Sequence, residues 1–270
     1  MEQEMEDKIN ITTWNINSVR KRLASISSFF KELVPDILLL QETKVNNHLF
    51  PAEFFKDFGY NFIHHEGEST GYNGVAILAK RGLGILPKID FINDARHLAV
   101  QINDIELHNF YIPAGGDIPD IEINPKFKEK LDFIDNLSTW FNKEKQSSSK
   151  IIIAGDLNVA PLENDVWSHK QLLKIISHTP IEIGKINNLA KSVDFKDCIR
   201  KFTPESEKLY TWWSYRAKDW LKSDKGRRLD HIWATESTCQ KILSAKIFKS
   251  VRGHNIPSDH VPVNITLSLD

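Results

Sequence analysis

The sequence predicts an α/β fold in a single domain, with strands and helices packed in layers. Three observations carry this: short apolar or alternating runs recur along the chain, amphipathic segments lie between several of them, and no stretch separates two independent domains. The runs are INITTWNI (9–16), DILLLQE (36–42), GVAILAK (74–80), HLAVQI (97–102), IELHNFYI (105–112), KIIIAGD (150–156), LDHIWA (229–234), AKIFKS (245–250) and VPVNITLSL (261–269). Each has the length and bounding residues of a strand. Between the first two lies SVRKRLASISSFFKEL (18–33), where Val19, Leu23, Ile26, Phe30 and Leu33 recur at helical spacing. KEKQSSSK (143–150) is linker-like but too short to divide the chain. Residues 1–270 therefore read as one domain, with residues 1–8 a flexible N-terminus.

Composition narrows the class. At 270 residues and 41% hydrophobic, the chain can bury a large core. No apolar run is long enough to span a bilayer, and MEQEMEDKIN lacks the basic-then-apolar order of a signal peptide, so a soluble protein of a bacterial cytoplasm is expected. Cys198 and Cys239 have neither CxxC nor Cys/His spacing, which argues against a disulfide framework or structural zinc and for reduced, inert thiols. The net charge of −1 gives no global attraction to a polyanion. Local basic patches remain, above all RAKDWLKSDKGRR (216–228) and RKR (20–22); taken alone, each reads as a solvated face.

The chemistry gathers at the ends of the apolar runs. IIIAGDLNVAP (151–161) could bury itself completely, yet it finishes on Asp156 and Asn158. In an extended chain these two side chains point the same way; the alternative is a turn, since Gly, Asp and Asn are common turn formers. Other runs end alike: the first on Asn15 and Asn17, the second on Gln41 and Glu42, the fifth on Tyr111 followed by Pro and two glycines. Asp230 opens LDHIWA, and Asp259 and His260 precede the last run. If these ends meet, one cleft holds Glu42, Asp156, Asp230 and Asp259 with Asn15, Asn158, Tyr111 and His260. So many carboxylates need a cation, and an oxygen-rich set suits Mg²⁺ or Mn²⁺ rather than zinc.

The blocks WNINSVRKRL, QETK, NFYIPAGG, GDLNVAP, YTWWSYR, GRRLDHIWAT and PSDHVPV occur in this order over residues 9–268. In these blocks the chain resembles the exonuclease III family of apurinic/apyrimidinic endonucleases, within the endonuclease-exonuclease-phosphatase superfamily. The resemblance implies a deoxyribonuclease I-like fold, a four-layer α/β/β/α sandwich of two packed mixed sheets flanked by helices. It implies a DNA repair nuclease that uses one or two Mg²⁺ (or Mn²⁺) ions, cuts double-stranded DNA 5′ to abasic sites, and trims or cleans blocked 3′ ends, as a monomer away from membranes.

Roles follow from the same resemblance. Glu42 looks like the main metal-binding carboxylate, supported by Asn15 and Asn17, with Asp259 a further ligand. Asp156 looks like the residue that orients or deprotonates water, and Asn158 its partner on the phosphate. His260 would contact the phosphate with Asp230 holding its ring, and Tyr111 would sit near the phosphate or leaving oxygen. A His paired with Asp favours its protonated form, but the pair could also activate water, so the base is either Asp156 or His260. Trp212 would line the pocket for the baseless sugar, with Trp213 in the core. Arg96, Lys126, Arg216, Lys218, Arg227 and Arg228 are candidate DNA-phosphate contacts. His64, His65, His97, His108, His178 and His254 lack ligand spacing and read as structural or exposed, and His169 as a helix-start surface residue. Ser18 departs from the Gly that many relatives carry after WNIN. The competing readings are a phosphoesterase acting on RNA, a nucleotide or a phospholipid, and a noncatalytic nucleic-acid-binding protein; the TWWSYR block argues against the former and the intact carboxylate set against the latter.

Overall fold

A computed structural model of the protein describes residues 8–68 and 71–270. Of the segment expected to be flexible, residues 1–7 lie outside the described residues, whereas Lys8 already pairs with Ser268 in the first strand. In chain order the elements are β1 (Lys8–Asn15), α1 (Leu23–Phe30), β2 (Ile37–Gln41), α2 (Ala52–Lys56), β3 (Phe62–Glu66), β4 (Val75–Ala79), β5 (Gly84–Ile85), β6 (His97–Ile102), β7 (Ile105–Tyr111), α3 (Pro125–Glu144) and β8 (Ile151–Asp156). There follow α4 (His169–Leu172), α5 (Pro180–Ser192), β9 (Lys196–Asp197), β10 (Trp212–Trp213), α6 (Trp220–Ser223), β11 (Gly226–Arg227), β12 (Asp230–Ala234), α7 (Glu236–Gln240), β13 (Ile242–Ile247) and β14 (Val263–Ser268). Among the described residues the strands form two six-stranded sheets, ordered β13-β14-β1-β2-β4-β3 and β5-β6-β7-β8-β12-β9, and a two-stranded ladder of β10 with β11.

The central strands are almost wholly apolar because both of their faces are buried. In β2, Ile37 and Leu39 face the other sheet while Leu38 and Leu40 face α1 and α2. In β8, Ile152 and Ala154 face inward while Ile151 and Ile153 meet α3 and α5. Period-two alternation thus splits each run between two cores, giving the four layers that the resemblance implies. Helix α3 supplies Ile134, Leu137 and Phe141 to its core, and α5 supplies Ile186 and Leu189. No helix among the described residues is long and apolar enough to cross a membrane.

Strand direction decides where the polar ends go. β1 and β2 run parallel, as do β7 and β8, so Asn15, Gln41, Tyr111 and Asp156 all leave their sheets at one edge. β12 is antiparallel to β8 with Asp230 opposite Asp156, and β14 is antiparallel to β1 with Val263 opposite Thr13. Asp230 and the Asp259–His260 pair therefore arrive at the same edge from the other direction. Just inside it, Gln41 Nε2 donates to Asn109 Oδ1 at 2.7 Å, and Asn109 Nδ2 donates to the carbonyls of Leu40 and Ala76, which ties the two sheets together beneath the site. Gly155, at φ +137°, lets β8 close against β7, since a Cβ there would meet the Phe110 carbonyl oxygen at 1.9 Å.

Cys198 and Cys239 are free thiols, as expected. Distant in sequence, they lie with sulfurs 3.9 Å apart, because the turn after β9 and helix α7 both pack beside β12.

Candidate active site

Asn15 is the hinge of the strand-end cleft. Fully buried at the end of β1, it donates through Nδ2 to Glu42 Oε1 and to Asp156 Oδ2, both at 2.8 Å. One amide thus bridges carboxylates from the two sheets and offsets part of their mutual repulsion. Its Oδ1 accepts the Asn17 N–H at 3.1 Å. Glu42 also pairs with Lys44 at 2.6 Å, and Lys44 donates to Asn17 Oδ1 at the same distance.

Asp156 and Asn158 do converge, but not by strand alternation. The strand ends at Asp156, and Asn158 adopts a left-handed φ of 54°. A turn swings its amide back, so that Nδ2 lies 3.1 Å from Asp156 Oδ2 and the Asn158 N–H donates to Asp156 Oδ1 at 3.0 Å. The turn chemistry and the functional convergence are one feature. Asn17, Ser18 and Glu42 are also in positive φ, so the backbone strain of the molecule concentrates partly at this edge.

His260 is clamped on every side. Its Nδ1 lies 2.8 Å from Asp230 Oδ2, its Nε2 3.7 Å from Asp156 Oδ2, and its carbonyl accepts the Trp14 indole N–H at 3.1 Å. Asp230 is fixed in turn by the Thr211 hydroxyl at 2.6 Å. Ser258 accepts the His260 N–H and donates to the Asn15 carbonyl, joining the last loop to β1. Burial opposes charge on His260, yet Asp230 and Asp156 outweigh it and raise the imidazole to about 10. Burial pushes the Asp156 carboxyl up to about 7, with Asp230 and Glu42 adding to the rise and His260 and Asn15 opposing it. Burial, with Glu42 and Asp156 nearby, holds the Tyr111 phenol well above its ordinary range. At neutral pH the edge therefore presents an imidazolium, a neutral phenol and a carboxylate near its midpoint.

One ligand atom each from Glu42, Asp156 and His260 lies within 4.8 Å of the others. With its proton held by two aspartates, His260 faces the group as a cation, which leaves the carboxylate oxygens of Glu42 and Asp156 for a metal. An all-oxygen donor pair of this kind fits a hard divalent cation. Within the expected ligand set, Asn17 Nδ2 donates to Asp259 Oδ1 at 3.0 Å, and Asp259 Oδ2 accepts the Trp212 indole N–H at 3.0 Å. Although burial works against it, His260, Asn17 and Trp212 keep the Asp259 carboxyl below its usual value.

The expected phosphate contacts fare unequally. Lys126, Arg216 and Lys218 are exposed. Arg96 is mostly covered, ion-paired to Asp94 and stacked 4.7 Å over the Tyr111 ring, so its charge supports Tyr111 instead of reaching outward. Arg228 is a correction. It is completely buried, with Nε and Nη2 each 2.8 Å from Asp165 and Nη1 against Asp197, so no phosphate reaches it. Extended backbone sends consecutive side chains to opposite faces, and of the two neighbouring arginines only Arg227 stays at the surface side, 5.3 Å over Trp212. Trp213 is core, as expected, Trp212 is half-buried, and Tyr215 is exposed and accepts from Arg22. His178 is buried, bonded to the Ala160 carbonyl and to His169, which opens α4.

Sequence reasoning missed Lys130 and Glu182. Lys130 is fully buried, donates to the Asn158 carbonyl at 2.7 Å and the Ala114 carbonyl at 3.4 Å, and pairs with Glu182 at 2.5 Å. One ammonium thereby ties the loop after Tyr111 to the loop after Asp156. Glu182 caps the turn below by accepting from Ser177, Thr179 and the Thr179 hydroxyl. Two signals were available: Lys130 stands on the apolar face of α3 among Phe127, Leu131 and Ile134, and Thr179-Pro-Ile-Glu182 is a capping box.

Comparison with known proteins agrees with this geometry. The model of the endonuclease/exonuclease/phosphatase family matches residues 12–260. Exodeoxyribonuclease III of Haemophilus influenzae is 28% identical over 265 residues, covering 93% of this chain and 97% of that protein. An AP endonuclease structure from Archaeoglobus fulgidus superimposes with a TM-score of 0.88 at 30% identity, covering 96% of this chain and 99% of the other. A 3′ phosphatase from Neisseria bound to a product DNA hairpin gives 0.86 at 27% identity, with coverage of 96% and 99%. The chain belongs to the endonuclease/exonuclease/phosphatase family, in the branch that holds exodeoxyribonuclease III and the AP endonucleases.

Proposed function

We propose that this protein is a metal-dependent DNA repair nuclease that hydrolyses the phosphodiester 5′ to abasic sites in double-stranded DNA and removes blocking groups from 3′ ends, acting as a monomer. The observation that carries the reading is the connected set Glu42, Asn15, Asp156, Asn158, His260 and Asp230 at one sheet edge.

In this reading Asp156 takes the proton of the attacking water. Its carboxylate is buried at the strand end with the Asn15 and Asn158 amides fixing its oxygens, and His260 is held as a cation by Asp230 and so serves charge stabilisation. His260 and the Asn158 amide neutralise the non-bridging phosphate oxygens, and the Tyr111 hydroxyl donates toward the phosphate or leaving oxygen. Glu42 and Asp156 would hold Mg²⁺, or Mn²⁺, which supplies Lewis-acid stabilisation of the phosphoryl group. Trp212 lines the pocket for the baseless sugar, and Lys126, Arg216 and Lys218 meet DNA phosphates along its path.

The test is an end-labelled duplex with one tetrahydrofuran abasic analogue, incubated with Mg²⁺ or EDTA. Cleavage 5′ to the analogue by wild type, lost with EDTA and in Asp156→Asn, is the expected result. Folded protein that leaves the duplex uncut under every condition removes the abasic-site assignment.

A further inference from the structure

Arg227 has a position and a set of bonds that the proposed chemistry does not use. β11 pairs with β10 so that Arg227 stands opposite Trp212, with its guanidinium 5.3 Å from the ring centroid. Trp212 is joined by a backbone bridge to His260 and by its indole N–H to Asp259. Arg227 thus shares a wall with the groups that handle the phosphate.

Its own charge is unmatched. Nη1 donates to the Ile176 carbonyl at 3.0 Å and the Ser177 hydroxyl at 2.9 Å, while Nε is buried without a partner. No carboxylate forms an ion pair with it among the described residues; Glu182, which acts on it from a distance, is already taken by Lys130. The contrast with Arg228, which engages two aspartates, is direct. A half-covered cation without a counter-ion costs stability, and covering an indole does not require charge, since a methionine would do it. The arrangement repeats one step outward. Lys225, just before β11, lies 4.6 Å over the Trp167 ring, and the Trp167 backbone N–H bonds the Gly226 carbonyl. Two cations thus lie over two indoles that pack against one cluster.

We propose that Arg227, held over Trp212, is an anion subsite for the fragment that stays attached to the scissile phosphorus, and that it selects fragments carrying a phosphate or carboxylate. The inference rests on the reading of the site as a hydrolase of abasic sites and blocked 3′ ends. An internal abasic sugar offers its own 3′ phosphodiester to the subsite. A 3′ end blocked by phosphoglycolate offers a carboxylate. Nη2, which bonds to no described residue and is not buried, leaves one charged donor of the guanidinium open to either anion.

The experiment uses the full chain as wild type, Arg227→Gln and Arg227→Lys on two pairs of duplexes, each pair differing by one charge. In the first, an internal tetrahydrofuran is followed by a phosphodiester or a neutral methylphosphonate. In the second, the 3′ end carries phosphoglycolate or the neutral 2-hydroxyethyl phosphate ester. The readout is the ratio of kcat/KM within each pair, which cancels any loss of folded protein. Wild type should favour the charged member of at least one pair by about tenfold, Arg227→Gln should bring that ratio close to one, and Arg227→Lys should retain part of it. Preference in the first pair identifies a backbone phosphate as the ligand, and in the second a carboxylate. Ratios that Arg227→Gln leaves unchanged overturn the subsite while the nuclease reading stands. Wild type that cuts none of the four duplexes overturns both.

Discussion

At the strand ends, Glu42, Asp156 and Asp230 converge with one imidazole and one amide between them. Two residues before Asp230, Arg228 meets Asp165 and Asp197, and Arg200 closes on Asp165 as well, so that cations and anions alternate. Both regions are buried and polar, but only the second is balanced. A balanced cluster has finished its work in folding: each charge is bonded, and nothing from outside is needed. The strand-end cluster is short of positive charge, so it stores repulsion that a cation, or a phosphate brought with one, relieves. The comparison suggests that in this protein the unmatched charges, not the buried ones as such, mark where ligands go.

The largest expected effect comes from the unbalanced region. Asp156→Asn should lower single-turnover cleavage by about 10²–10⁴-fold, the range for losing a positioned base, while raising the melting temperature of cation-free protein because one repelling charge is gone. A variant that loses activity and stability together would break the comparison. In the balanced region the outcome is the reverse. Arg228→Met leaves Asp165 and Asp197 short of a partner and should cost about 3–5 kcal/mol in a urea titration.

Cation binding sharpens the contrast further. At a Mg²⁺ concentration about 100 times its Kd, wild type should gain about 2.7 kcal/mol, and Glu42→Gln should lose most of that gain in the same melting experiment. The pH dependence has the matching sign. Asp156 and His260 both have folded values above their ordinary ones, about 7 and about 10, so each contribution is present at low pH and is lost as pH rises through those values. Glu106 is the opposite case. Its hydrogen bond with His108, helped by Lys145 against burial, pulls the carboxyl down to about 2, so its contribution is present above the ordinary glutamate range and fades as pH falls toward 2. The difference in melting temperature between cation-free wild type and Asp156→Asn should therefore fall from pH 4 to pH 7, a difference that cancels the opposite contribution of buried histidines such as His65 and His231, held down at about 4 mainly by burial, and Mg²⁺ should flatten that slope. A slope that Mg²⁺ leaves unchanged would place the cation away from Asp156. The smallest effect is Ser18→Gly: Ser18 sits at φ 84°, where a Cβ is disfavoured, and the change should add about 1 kcal/mol without altering cleavage.

Apolar patterning along the chain set the layered fold, because strands buried on both faces must be continuous apolar runs, and every such run became a strand. It also marked the polar residues at their ends, since a carboxylate or amide closing a greasy run has few reasons to be there. β3 escaped notice because FIHHE carries two histidines that sit half-covered at a sheet edge, and β9, β10 and β11 are two residues each, too short for any periodicity. Which charges would be matched was set by the packing of the sheets and loops. Arg227 and Arg228 are identical in sequence terms, yet one lies over Trp212 and the other is buried between two aspartates. Lys130 reads as a helix lysine until Asn158, in a loop 28 residues away, and Glu182, in the first turn of α5 52 residues away, are brought to it. Local patterns are set by side-chain spacing along the chain, whereas charge balance depends on partners that meet only when the sheets pack.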